Sequence, residues 1–268
     1  MTLSITHLGS GSSGNATLLA TDETKVLVDC GFSGKQLEKR LSLLEITPDE
    51  LDAILITHHH SDHSKGAPIV SRKWGVPLHM NFETCSQLGL DPVNECRLFE
   101  PLERIELGDD LSMLPVPVTH DGADNVGFIA NHAGERAGVV TDLGSWNDQL
   151  AKHLSDCVHI SIEANYDSNR LWNGPYPERL KQRISGRGGH LSNRQTAELL
   201  ANVVGSHTRS IVLCHLSDQN NAPHLAESEV LFSLEEIFEG DLAISLQQGP
   251  EFSHFLGQSE AEKIQALQ

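Results

Sequence analysis

Thr57-His58-His59-His60-Ser61-Asp62-His63 is the most informative stretch of this 268-residue chain. It follows the apolar run Ala53-Ile54-Leu55-Ile56, which reads as a short buried strand, and it precedes Lys65-Gly66. Four histidines and a carboxylate therefore sit on a loop at a strand end. Imidazole and carboxylate are the donors that suit a divalent first-row metal, and so many in so short a span cannot all reach one ion comfortably. On an extended loop His58 and His60 point one way, which leaves Asp62 and His63 to face a second ion. A solvated polyhistidine loop would need neither the buried strand nor the aspartate.

Working outward, three further residues stand in similar settings. His120 comes just after the strand-like run 114–118, His215 follows the apolar run 211–214, and Asp142 follows the run 137–140, where a carboxylate can bridge two metals. Each alone is weak, because a lone histidine is more often structural. At the ends of separate strands, the three together fit a two-metal site.

Strand-like and helix-like patterns alternate along the whole chain. Strands are expected over 4–8, 17–20, 25–28, 53–56, 77–80, 158–162 and 210–214, with a strand-rich middle from 96 to 140. Ser33 with Gln36 and Ser192 with Gln195 read as capping boxes that open helices, and Asn221 with Pro223 starts another. A weak internal repeat is visible: Val26-Leu27-Val28-Asp29-Cys30-Gly31 matches Val139-Val140-Thr141-Asp142-Leu143-Gly144. Each copy is followed by a helix and then by a strand ending in histidine, His58 in the first half and His215 in the second. Duplicated halves facing each other would bring the polar residues at the carboxyl ends of both sheets into one cleft. No Pro/Ser-rich linker interrupts the pattern, so 1–257 is expected to be a single domain and 258–268 a polar tail.

Composition narrows the class. Acidic residues number 37 against 19 basic, a formal charge of −18, while 38% hydrophobic content belongs to an ordinary globular chain. No run approaches the ~20 apolar residues of a membrane span. Residues 1–8 carry no basic segment followed by an apolar one, and five scattered cysteines form no Cys-x-x-Cys pair, so a cytoplasmic protein with reduced thiols is expected. The acidity argues against a polyphosphate partner unless metal or a local patch reverses the field. Such a patch exists: Arg179, Lys181, Arg183, Arg187 and Arg194 fall in a stretch with no acid, around His190. It reads either as a phosphate-gripping rim or as a solvated helix face.

The run His58-x-His60-x-Asp62-His63 with His120, Asp142 and His215 resembles the metallo-β-lactamase superfamily. Gly9-Ser10-Gly11-Ser12-Ser13-Gly14-Asn15, Asp29-Cys30-Gly31, Gly189-His190-Leu191-Ser192-Asn193 and His215-Leu216-Ser217-Asp218-Gln219-Asn220-Asn221 narrow the likeness to its YycJ/WalJ-type subgroup, which is similar to tRNase Z and the PhnP phosphodiesterases. The resemblance covers nearly the whole chain. It implies an α/β protein, an αββα four-layer sandwich of two mixed β-sheets flanked by helices. It also implies phosphodiester hydrolysis, with DNA exonuclease activity in the subgroup. Carried onto this chain, it gives one metal to His58, His60 and His120 and the other to Asp62, His63 and His215, with Asp142 bridging. His59 is not a ligand position. Tyr166 stands where the family has histidine in Glu163-Ala164-Asn165-Tyr166-Asp167, so no role of that histidine transfers. Glu163 and Asp29 read as acceptors that orient ligand imidazoles or fix loops.

The leading expectation is thus a metal-dependent phosphodiesterase acting on nucleic acid, DNA before RNA, with two divalent ions that are zinc or manganese, iron being possible. Asp62 is expected to orient the attacking hydroxide, and His190 to protonate the departing oxygen or stabilise the phosphorane-like charge. Ser12, Ser13, Asn15, Arg183, Arg187 and Asn193 are expected to contact substrate. A small-molecule hydrolase on the same metals is the alternative, and it would not depend on the basic segment. An iron-dependent redox protein and a non-catalytic regulator are weaker alternatives. No membrane partner is expected.

Overall fold

The computed structural model describes residues 2–122, 124–249 and 253–256, so the expected tail 258–268 lies outside the described residues. The strands in chain order are β1 (Leu3–Gly9), β2 (Ala16–Ala20), β3 (Lys25–Val28), β4 (Ala53–Leu55), β5 (Leu78–Met80), β6 (Arg97–Leu98), β7 (Ile105–Leu107), β8 (Leu111–Pro117), β9 (Val126–His132), β10 (Glu135–Val140), β11 (His159–Glu163), β12 (Ser210–Cys214), β13 (Asp241–Ile244) and β14 (Ser253–Leu256). They form two mixed sheets with the orders β14-β1-β2-β3-β4-β5-β6 and β13-β12-β11-β10-β9-β8-β7. Both sheets follow one plan. Antiparallel pairs lead in as far as β3 or β10, and parallel pairs run on from there.

That plan places the repeat and corrects its register. β3 and β10 are counterparts, as the two Asp-x-Gly copies suggest. The strand beside β10, however, is β11, which ends at Glu163. Topologically Glu163, not His215, stands opposite the first-half strand that leads to His58. β12 is one strand farther out and matches β5.

Nine α-helices and a 3-10 turn at Pro48–Glu50 complete the described elements: α1 (Gly34–Ser42), α2 (Ser61–Ser64), α3 (Ala67–Trp74), α4 (Phe82–Gln87), α5 (Asp148–Leu154), α6 (Ser168–Asn173), α7 (Glu178–Ser185), α8 (Asn193–Val203) and α9 (Pro223–Leu234). Three apolar layers show how they stack. Alternate residues of a strand point to opposite faces. Val26 and Val28 of β3 therefore join Phe128 of β9 and Val139 of β10 between the sheets. Leu27 packs outward with Leu37 and Leu41 of α1 and Val70 of α3. On the far side Ile160 and Ile162 of β11 meet Leu150 of α5, Leu200 of α8 and Val230 of α9. The result is the four-layer αββα order. Strands buried on both faces explain the near-continuous apolar runs at 53–56 and 211–214.

Caps mark where several helices begin. Ser192 and Gln195 form the full reciprocal box at α8, while Ser33 accepts only the Gln36 N–H at α1. All five cysteines are buried and free, and burial pushes the Cys30 thiol up to about 12.

Candidate metal centre

The histidine run hangs from the carboxyl end of β4 and is clamped from beneath. Asp29, just past β3, has φ 62 in the left-handed region. This turn aims its carboxylate at the run, where it accepts from the Thr57 N–H at 2.9 Å, the Thr57 hydroxyl at 2.9 Å and His63 Nδ1 at 2.7 Å. Backbone bonds join Cys30 N to His63 O and Asn15 N to Asp62 O, both at 2.7 Å. Gly31 permits this approach, since a Cβ there would stand 1.7 Å from the Asp62 carbonyl oxygen. The single turn α2 then carries Asp62 and His63 toward the cleft, with the Ser64 hydroxyl donating to the His59 carbonyl at 2.8 Å.

The second half supplies its side chains from several strand ends. His120 lies past β8, Asp142 past β10 at φ 54, and His215 past β12 at φ 54. Glu163 ends β11, fully buried, and its Oε1 lies 2.7 Å from His190 Nδ1 and 3.1 Å from His215 Nδ1. The Ser10 hydroxyl accepts the His215 backbone N–H at 2.8 Å, which ties the glycine-rich loop to the same centre.

Tautomers follow from these partners. The Gly189 carbonyl can only accept, so His120 Nδ1 donates to it at 2.8 Å. The Thr57 hydroxyl gives its proton to Asp29 and accepts from His58 Nδ1 at 2.9 Å. His63 and His215 likewise direct Nδ1–H at Asp29 and Glu163. In the neutral form all four therefore turn an Nε2 lone pair inward, toward carboxylates that also have only lone pairs to offer. Buried His58 Nε2, His215 Nε2 and both Asp142 oxygens have no hydrogen-bond partner. His63 Nε2 is pressed against Asp142 Oδ2, and His215 Nε2 lies 3.5 Å from Asp62 Oδ2. Apart from the Asn15 amide beside His63 Nε2, these acceptors face each other with nothing to donate, an arrangement that fits a divalent cation.

Three sets of ligand atoms each lie within 4.8 Å of one another: His58, His60 and His120; Asp62, His63 and His215; and His58, His63 and Asp142. The seven expected ligand residues are thus brought together, with Asp142 within reach of both groups. A fourth set joins Asp142, Glu163, His190 and His215.

The electrostatics describe the contest that a cation would resolve. Burial opposes charge on each imidazole and holds His58 well below the usual histidine value, with neighbouring His63 adding to the effect. At His63 the Asp142 and Asp29 charges outweigh burial and raise it well above that value. At His215 burial is again outweighed, chiefly by Asp142, and the group rises to about 9. Asp142 stays well below the usual carboxylate value despite burial, because His215 and His63 face it.

The cleft above these groups encloses about 360 Å³. Ser12, Asp62, Arg183 and His190 line it, as expected of substrate-facing residues. Other expected contacts lie elsewhere. Asn15 is buried and bonds to Gly11 and to His63 Nε2. Ser13 is exposed, with its N–H on Gln247 Oε1. Asn193 does not face the cleft: it is buried in a reciprocal amide pair with Asn221. Arg187 is exposed and outside the residues that line the cleft. The basic stretch is likewise partly consumed, with Lys181 donating to the Trp172 carbonyl and Arg194 paired with Glu198. His59 belongs to none of the ligand sets. The sequence reading missed Asp121, Leu180 and Ile184, which also line the cleft. The adjacency of Asp121 to His120 was the one available signal.

A family model of the metallo-beta-lactamase superfamily matches residues 9–143. Exodeoxyribonuclease WalJ of Streptococcus pneumoniae is 35% identical over 245 residues, 89% of this chain and 90% of that protein. Exodeoxyribonuclease YycJ of Bacillus anthracis is 32% identical over 240 residues, covering 88% of this chain and 90% of the other. Among solved structures, the metallo-beta-lactamase fold protein YhfI from Bacillus subtilis superposes with a TM-score of 0.73 at 15% identity, over 95% of this chain and 99% of that one.

Proposed function

The chain belongs to the metallo-beta-lactamase superfamily, and from that premise we propose that it is a metal-dependent phosphodiesterase that degrades DNA as an exonuclease. The hydrolase reading is carried by the unpartnered imidazole nitrogens and carboxylate oxygens that converge on the cleft floor. The choice of DNA is supported by the two relatives named exodeoxyribonuclease, each aligned over nearly its whole length. We assign His58, His60 and His120 to one ion and Asp62, His63 and His215 to a second, with Asp142 between them. Zinc or manganese suits this donor set.

When bound, such ions supply Lewis acidity and a water activated at neutral pH. The residues do the rest. Asp62 accepts a hydrogen bond from the attacking water and orients it. His190, held through Nδ1 by Glu163, lines the cleft and protonates the leaving oxygen. Ser12 and Arg183 contact the substrate at the cleft wall, while Asn15 and Asn193 keep the surrounding loops in place. We take 1–257 to act as one domain. The five free, buried thiols support a cytoplasmic location, and among the described residues no helix is long and apolar enough to cross a membrane.

One observation favours a second reading. Among the described residues three carboxylates line the cleft against a single arginine, on a chain of charge −18, which suits a small phosphodiester better than a long polyanion. Metal analysis of purified protein, followed by parallel assays on end-labelled DNA, RNA and bis(p-nitrophenyl) phosphate, separates the two. Stepwise shortening of DNA is expected. Turnover of the small diester without it would overturn the nuclease reading.

A further inference from the structure

Asp121 faces two ways. Its Oδ1 is buried without a hydrogen-bond partner, 3.2 Å from His120 Nε2 and 3.5 Å from His60 Nε2. Its Oδ2 accepts from Arg183 Nε at 2.9 Å and from Nη2 at 2.5 Å. Arg183 belongs to α7, where Leu180, Arg183 and Ile184 fall at i, i+3 and i+4 and share the face that lines the cleft. α7 is locked to the chemistry at its end: the Ile184 carbonyl accepts the His190 N–H at 2.8 Å, and the Gly189 carbonyl accepts from His120. No Cβ fits at Gly189, where it would meet the Arg183 and Ile184 carbonyls at 2.2 Å.

Among the described residues Arg183 is the one Lys or Arg side chain that lines the cleft, and its side chain is 65% exposed. An exposed arginine on a lone surface helix would spread over many rotamers. The bond to Asp121 uses two of its five N–H groups and leaves three directed outward in a planar fork that matches phosphate oxygens. Beside that fork, half-buried Leu180 and Ile184 offer an apolar wall. A cation next to an apolar wall has the chemistry of a nucleotide: phosphate on the guanidinium, sugar or base against the aliphatic side chains. A small diester has no second phosphate to place there.

We infer that Leu180, Arg183 and Ile184 form the subsite for the nucleotide that flanks the scissile bond, and that Asp121 is the positioning residue that holds Arg183 over the cleft. The inference rests on the nuclease reading. Its test compares Arg183→Ala, Arg183→Lys, Asp121→Asn and the Asp121→Asn/Arg183→Ala double variant on a single-stranded DNA oligonucleotide and on bis(p-nitrophenyl) phosphate. KM, kcat and bound metal are measured for each. Arg183→Ala should raise KM for DNA about tenfold or more, lower kcat far less, and reduce the salt slope by about one. The loss should be at least about fivefold larger on DNA than on the small diester. Arg183→Lys, which keeps the charge but not the fork, should recover part of the KM. Asp121→Asn should shift KM in the same direction with metal content kept, and the double variant should be no worse than Arg183→Ala.

Equal losses on both substrates, additive effects in the double variant, or metal loss in Asp121→Asn would each overturn the subsite. Wild-type protein that cuts DNA while Arg183→Ala is unimpaired would sink the subsite alone. Wild-type protein that hydrolyses only the small diester would sink the nuclease reading and the subsite with it.

Discussion

Asp29 and Asp142 occupy matched places in the two halves. Each follows the strand where its sheet turns from antiparallel to parallel pairing, and each takes the left-handed backbone conformation, φ 62 and φ 54. Their surroundings differ. The Asp29 carboxylate is saturated by Thr57 and His63, whereas both Asp142 oxygens are buried, without a hydrogen-bond partner, among His58, His63, His190 and His215. One backbone turn thus serves two tasks: the first-half aspartate holds the ligands, and the second-half aspartate stands where a ligand would. The difference arises in what the neighbouring strand end presents. β4 leads into a loop rich in donors, and β11 ends in an acid, Glu163, which takes over the holding task by orienting His190 and His215.

Swapping the two aspartates for asparagine should expose this division. Asp142→Asn is expected to have the largest effect, loss of bound metal and of activity well beyond the ~10–100-fold that follows loss of a supporting hydrogen bond. Metal analysis and DNA turnover would show it, and full metal occupancy in this variant would break the comparison. Next, His190→Ala should lower kcat by about 10²–10⁴-fold with metal content intact, measured at saturating substrate. Loss of metal instead would place His190 among the ligands.

Asp29→Asn should weaken metal affinity by about 10–100-fold, and excess metal should restore much of the activity. No recovery at any metal concentration would make Asp29 more than a holder.

The protons on one histidine from each half, His63 and His215, sharpen the contrast further. His63 is raised well above the ordinary value by Asp142 and Asp29, and His215 to about 9, which favours a proton on each in the absence of metal. Metal uptake must displace them, so affinity should rise with pH up to about 9 and calorimetry in buffers of different ionisation enthalpy should register proton release. Release that is unchanged from pH 6 to 9 would contradict the charge pattern. The smallest effect belongs to Asn193→Ala, which takes away one partner of the buried Asn221 amide on each side and leaves its bonds to the Ala164 carbonyl and the Ala222 N–H. It should cost about 1–3 kcal/mol of folding stability, read by chemical denaturation, with metal content unchanged.

What could be read from the chain followed from local chemistry. A run of imidazoles and a carboxylate after an apolar strand announces metal ligands, alternating buried residues announce strands, and Ser192 with Gln195 announces a helix start. Each depends on residues close in sequence, so periodicity and spacing carry it. The duplicated half was also visible, because Asp-x-Gly after an apolar strand is a local pattern.

The register of that repeat was not visible. Which strand lies beside β10 depends on sheet pairing, and pairing brings together segments that spacing leaves far apart. The same limit hid the meeting of Asp121 with Arg183, 62 positions apart, and the inward turn of Asn15 and Asn193, whose amides looked like free donors until their partners Gly11, His63 and Asn221 came into view. Residue type alone sets which atoms can donate, accept or bind metal. Whether a given polar group is spent inside the fold or left facing a cleft is decided only when distant backbone segments close around it, because burial forces each such group to find a partner and the tertiary structure determines which one it meets.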